Sequence, residues 1–237
     1  SHQVKAYKRA ARQPEYLDAE YAMALDLDEF LVVHAGQGHL RDLIAEMPEF
    51  DCAYMNWVKF GNSGHLTLPD GLVTKNFTRC EIKGRIKEGV EPFKSFYRRA
   101  AYVRPGIHKP VQDDDGPRRI VNGSGLPEED FITRNFQCSD PLERKLAQVN
   151  HYIVRDAANF VLKCAKGSAH QANRALDQGY WKMRNRNQRK SLELSEKAME
   201  IRAVMADMDY EARGLLSELT DAARAHRPRH RRAEPAR

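Results

Sequence analysis

The chain has 237 residues, of which 41% are hydrophobic and 30% charged, and a formal net charge of +6. That is enough for one cored domain with an appendage, and too apolar for wholesale disorder. No apolar run approaches the ~20 residues that cross a bilayer, and the basic opening from Ser1 to Arg12 lacks the apolar segment of a signal peptide. Cys52, Cys80, Cys138 and Cys164 are too few for a disulfide scaffold and show no zinc-type spacing. They predict reduced thiols and a cytoplasmic protein.

The positive charge is concentrated. Residues 224–237 carry six Arg against one Glu, and residues 182–190 carry five bases and no acid, so each block contributes +5 and the rest is −4. A nucleic-acid-binding domain more often spreads its bases over a folded face, which disfavours nucleic acid as a partner. The blocks read as solvated, with peripheral contact to an anionic membrane surface as the interaction open to them.

In chain order, residues 1–20 read as a helix with Tyr7, Ala10, Ala11 and Tyr16 as buried points. Tyr21–Val33 places apolar residues on both sides of an acidic cluster, as in a buried strand that ends in a site. Leu40–Met47 is a short amphipathic helix stopped by Pro48. Cys52–Phe60 and Phe93–Val103 have strand character, separated by the loop Gly61-Asn62-Ser63-Gly64. Residues 111–130 form a long loop rich in Asp, Gly and Pro. Ala147–Val154 is a further apolar run, and Asp156 can cap a helix to Lys166 with Gly167 as its C-cap. Residues 168–190 look polar and irregular. From Leu194 through Ala198, Ile201, Met205, Met208, Ala212, Leu215 and Leu219 to Ala222, apolar residues alternate spacings of four and three. This is a heptad seam for a partner helix, in its own domain or in a homodimer.

The chemistry concentrates at Asp26, Asp28 and Glu29. On a strand, Asp26 and Asp28 share a face, and two adjacent carboxylates call for a cation. Hard oxygen ligands suit Mg²⁺ or Mn²⁺ held together with substrate phosphates; a solvated acidic turn is the plainer reading. Gly61 and Gly64 allow close backbone approach to a ligand, Trp57 can stack on a sugar or base, and Ser63 and His65 can bond hydroxyls. An ordinary hairpin loop with a buried Trp accounts for the same residues. Lys75, Arg79 and Lys94 suit either diphosphate or solvent.

Leu25-Asp26-Leu27-Asp28-Glu29-Phe30-Leu31 resembles the Asp-x-Asp-Glu-Phe segment of the glycosyltransferase family 2-like and family 92 group. Asn56-Trp57-Val58-Lys59-Phe60-Gly61-Asn62-Ser63-Gly64-His65, His108-Lys109-Pro110, and Asn150-His151-Tyr152 followed by Phe160, Lys163 and Gly167 resemble further blocks of that group, in order, over roughly residues 20–170. The resemblance implies an α/β fold of GT-A type, Rossmann-like with a mixed sheet. It implies a metal, Mn²⁺ or Mg²⁺, on Asp26, Asp28 and His151, and an inverting transfer of sugar from a nucleotide-diphosphate donor to a glycan or lipid-linked acceptor. Asn56, Trp57, Gly61, Ser63, Gly64, His65 and His108 fall in its substrate-binding blocks, and Glu129-Asp130 matches its loose acidic motif for the catalytic base. Only 25 residues precede Asp26, so the strands that grip the nucleotide base in that fold are expected to be missing. The expected organisation is a GT-A-like domain over 1–170, a basic irregular linker over 171–190, the heptad helix over 191–225 and a basic disordered tail over 226–237. The rival reading is an inactive remnant or interaction module that uses the heptad helix and basic tail.

Overall fold

The computed structural model describes residues 2–82, 89–166 and 177–207. The chain divides into two compact units, Ser1–Ser195 and Glu196–Arg237. The helices are α1 (His2–Ala10), α2 (Pro14–Leu17), α3 (Leu40–Glu46), α4 (Val73–Asn76), α5 (Ala157–Lys166), α6 (Gln178–Arg184), α7 (Glu193–Glu196) and α8 (Ala198–Asp207). The strands are β1 (Tyr21–Met23), β2 (Glu29–Val33), β3 (Cys52–Lys59), β4 (Arg79–Cys80), β5 (Glu91–Arg98), β6 (Ile120–Asn122), β7 (Thr133–Arg134), β8 (Gln137–Cys138), β9 (Ala147–His151) and β10 (Arg189–Lys190).

The first unit is α/β with a mixed eight-stranded sheet. Its order is β2-β9-β3-β5-β8-β7, with β1 on β5 and β6 on β3. Strands β6 and β9 run parallel to β3, whereas the remaining pairs of this sheet are antiparallel. Every residue of β3 is buried, as its nearly unbroken apolar run requires of a central strand covered on both faces. Ala53, Met55 and Trp57 pack on one side with Phe96, Val149 and Leu43. Cys52 and Tyr54 pack on the other with Phe93, Tyr97 and Phe131. The polar residue in the run, Asn56, donates from Nδ2 to the carbonyls of Glu91 and Cys138 at 3.0 and 2.9 Å.

Helix α3 forms as expected. Asp42 accepts from the His39 backbone at its N-terminus, Leu43 is buried, and Pro48 follows its C-cap Met47. Helix α5 also forms, because Asp156 caps it. The Asp156 carboxylate accepts from the Asn159 backbone N–H at 2.9 Å and from its side-chain amide at 2.6 Å. Burial pushes the Asp156 carboxyl up, but these bonds outweigh it and hold it below its usual 3.8. Its stabilisation is therefore present above pH 3.8 and fades as pH falls through the lower folded value. Asp156→Ala should cost ~1 kcal/mol in urea melts at pH 7, and the difference from wild type should shrink below about pH 3.8.

Four expectations change. Tyr21–Val33 is two strands, not one, because residues 26–29 turn. The Glu29 N–H bonds the Asp26 carbonyl at 3.0 Å, and the Asp26 N–H bonds the Glu29 carboxylate at 2.9 Å. Among residues 1–20, Tyr7, Ala11 and Tyr16 are only half-buried and Ala10 is exposed; the Tyr16 hydroxyl meets that of Tyr97 at 3.2 Å. The segment expected as an irregular linker carries α6 and β10. Asp177 caps α6 by accepting from the Tyr180 N–H, and β10 pairs with β4. The loop 111–130 contains β6 and a 3₁₀ turn at Glu128–Asp130.

All four cysteines are free; burial pushes the thiols of Cys52 and Cys138 up to about 12 and that of Cys80 to about 11. In the second unit α8 covers Ala198–Asp207. The heptad positions from Met208 onward, Gly167 and the basic tail lie outside the described residues. Among the described residues no helix is long and apolar enough to cross a membrane.

Candidate functional site

Antiparallel pairing of β2 with β9 sets Glu29 opposite His151. This brings the acidic turn at residues 26–29 against the Asn150-His151-Tyr152 block, and the Tyr152 N–H donates to the Asp28 carbonyl at 2.9 Å. Leu27, at the tip of the turn, is fully exposed, whereas Glu29 is buried and Asp26 and Asp28 are half-buried.

Asp26 and Glu29 share Lys94, whereas Asp28 faces His151. Asp26 accepts from Lys94 Nζ at 3.1 Å and from Gln3 Nε2 of α1 at 2.7 Å. Glu29 is fully buried, and its Oε2 lies 3.1 Å from Lys94 Nζ. Asp28 Oδ2 lies 3.7 Å from His151 Nε2. Burial pushes the Glu29 carboxyl above its usual range despite Lys94 and His151. Burial also raises the Asp28 carboxyl, but His151 and the more distant Lys163 outweigh it and hold it low. Burial depresses the Lys94 ammonium, but Glu29 and Asp26 outweigh it and hold it above its usual value.

Trp57 walls the site. Its ring meets His151 edge-on at 4.2 Å, with His108 at 5.6 Å from the same ring. His108 stacks on Phe136 and donates from Nδ1 to the Phe93 carbonyl at 2.8 Å. Three buried polar atoms here, Glu29 Oε1, His151 Nδ1 and Trp57 Nε1, have no hydrogen-bond partner among the described residues. Glu29 Oε1 and His151 Nδ1 are 3.8 Å apart. Buried polar atoms are ordinarily hydrogen-bonded; these three are among several unpartnered ones in the described residues and are available to a water, an ion or a ligand.

The expected ligand trio is brought together unequally. Asp28 and His151 form a carboxylate–imidazole pair suited to two positions on a divalent cation. Asp26 is turned to Lys94 and Gln3 instead, so the shared strand face gives way to a turn that directs the two aspartates to different partners. Among the described residues no three His, Cys, Asp or Glu side chains are arranged to hold a metal ion. Of the three ligands expected from the resemblance, the described residues bring Asp28 and His151 together and leave Asp26 apart.

The other expected residues lie elsewhere. Asn56 is buried in the structural bonds described above. The Gly61–His65 loop is fastened to protein: the Ser63 N–H bonds Asn187 Oδ1 at 2.9 Å, Ser63 Oγ accepts from the Arg79 N–H at 3.0 Å, and His65 Nε2 donates to the Asn76 carbonyl at 3.0 Å. A Cβ on Gly61 would lie 2.5 Å from the Arg186 carbonyl oxygen, so packing of its own chain explains that glycine; Gly64 has φ +87° and open space around it. Glu129 and Asp130 are exposed, and the adjacent Phe131 packs on Tyr54, on the face of β3 opposite Trp57. They are not brought to the acidic turn. Lys75 and Arg79 are exposed.

Three members were given no ligand or catalytic role from the sequence. Glu29 was the third acid of the cluster, Lys94 read equally well as a surface base, and Lys163 sat in the final block with no role. Alternation in β5 offered a signal for Lys94, since it shares a face with Phe96. Compared with models of known protein families and with curated proteins, the chain gives no match to either.

Proposed function

We propose that the chain is a metal-dependent glycosyltransferase of GT-A type, moving a sugar from a nucleotide-diphosphate donor to a glycan or lipid-linked hydroxyl, with inversion. The observation that carries this reading is the register of Glu29 against His151. It joins two blocks of the family resemblance that are remote in sequence, and it leaves buried polar atoms unpartnered where they meet.

In this reading Asp28 and His151 hold the cation and face the donor diphosphate. Mn²⁺ or Mg²⁺, when bound, would neutralise charge on the leaving diphosphate. Glu29 and Lys94 fix the turn that presents Asp28. The Trp57 N–H is a donor for a ligand hydroxyl, and its ring, already edged by two histidines, shields the site from water. Asp26 is assigned to orienting the turn and the donor rather than to the cation. Glu129 and Asp130 carry no role here, because they lie beside the other face of the sheet. Lys163, which faces Asp28, would offset diphosphate charge.

The test is a thermal-shift series with Mn²⁺ and common nucleotide sugars, added singly and together. Stabilisation that needs both components is the expected result. A well-folded chain that responds to no pair would reject the transferase reading and leave the remnant or interaction module in its place.

A further inference from the structure

The basic stretch at residues 182–190, which the transferase reading leaves unused, helps to close a second pocket. We propose that this pocket binds a small oxyanion, a phosphate or carboxylate group, between Arg144, Lys59 and Arg186. None of these side chains belongs to the Asp28–His151 site, so the proposal stands apart from that reading.

The pocket lies where the end of β3 passes from β5 to residues 79–81. The Glu81 N–H bonds the Lys59 carbonyl at 3.0 Å there, and Phe60 bridges to Cys80. The cavity is about 90 Å³, with Lys59, Glu81, Glu91, Arg144, Arg186 and Gln188 in its walls. That is room for several waters or one tetrahedral oxyanion. Its cover is held in an extended run. Asn185 accepts from the Asn62 N–H at 2.7 Å and Asn187 from the Ser63 N–H at 2.9 Å. The alternate residues, Arg186 and Gln188, line the pocket.

Charge in the walls is unbalanced among the described residues, with three cations against two carboxylates. Lys59 Nζ takes up both acids, pairing closely with Glu91 and lying 3.5 Å from Glu81 Oε2. Arg144 is left short. It is 1% exposed, with Nη2 on the Trp57 carbonyl at 3.0 Å and 3.7 Å from Glu81 Oε1. Its Nε and Nη1 are buried without a hydrogen-bond partner among the described residues. Burial depresses its guanidinium despite Glu81 and Asp140, but an arginine does not deprotonate in a protein. A buried guanidinium with spare N–H groups is costly until an acceptor meets it, and its planar fork matches two oxygens of a phosphate or carboxylate. Arg186, half-buried at the rim, supplies a second cation to the same ion.

The test is calorimetric titration of the full chain with sodium phosphate and with sodium acetate, at constant ionic strength against a sodium chloride blank. Saturable one-to-one binding is expected, and the two arms tell a phosphate ligand from a carboxylate ligand. Arg186→Gln should weaken it at least about tenfold, as loss of one charged hydrogen bond does, and Arg144→Met should abolish it. Should Arg144→Met fail to fold, Arg186→Gln decides alone. No saturable heat above the chloride blank with either anion, or an unchanged affinity in Arg186→Gln, would overturn the proposal.

Discussion

Lys94→Met should destabilise the first unit by about 3–5 kcal/mol, the range for breaking a buried ion pair from one side. Methionine keeps most of the stem's length and removes the ammonium, so packing is largely preserved while charge is lost. The Lys94 side chain is 1% exposed, and its Nζ lies 3.1 Å from both the Asp26 and Glu29 carboxylates. Asp26 is 38% exposed and can turn to water. Glu29 is wholly buried and would keep only the Asp26 N–H at 2.9 Å and His151 at 3.8 Å. The cost therefore resides in Glu29, and the double variant Lys94→Met/Glu29→Gln should recover most of it. Chemical denaturation of the two variants checks this. A Lys94→Met protein as stable as wild type would mean that the ammonium is solvated rather than locked between the acids.

The elements most legible in the sequence were those whose stabilising groups are local. Helix α5 was fixed by Asp156 and its own third residue, and α3 by Asp42 and Pro48. Strand β3 announced itself by an apolar run long enough to be covered on both faces. The turn at residues 26–29 was hidden, because apolar residues continue on both sides of it and its backbone bonds involve the very acids that read as a strand-end site. Segment 185–190 was hidden for a different reason. Its asparagines are polar and its bases look solvated, but the asparagines are spent on loop backbone from far earlier in the chain, and β10 is only two residues long. In the candidate site the acids and His151 were visible as residue types, but their meeting depends on the register of β2 with β9, a long-range pairing that no local pattern encodes. Lys94 illustrates the same limit, since a lysine reads as surface until the buried carboxylates that hold it are known. The family resemblance rests on four short blocks, and the absence of a family-model match leaves it to be decided at the bench.

The two aspartates offer that decision, because they are two residues apart and should behave differently. Asp28 is partly exposed and 3.7 Å from His151, a pairing worth no more than about 1 kcal/mol at such a position. Asp28→Asn should leave the melting temperature of the free chain within roughly 4 °C of wild type. It should nevertheless remove the response to Mn²⁺ with nucleotide sugar, which at 100 times Kd amounts to about 2.7 kcal/mol, or roughly 5–10 °C. Asp26→Asn strips the buried Lys94 of one of its two carboxylates and should cost more, about 1.5–3 kcal/mol, as loss of a charged hydrogen bond does. Because its carboxylate is turned to Lys94 and Gln3 rather than to His151, the weakened Asp26→Asn chain should still gain stability from metal and donor together. An Asp28→Asn chain that keeps the full ligand response would remove Asp28 from the cation site. Loss of the response in both variants would restore the roles expected from the sequence, with Asp26 and Asp28 both as ligands and the turn reorganised around the bound ion.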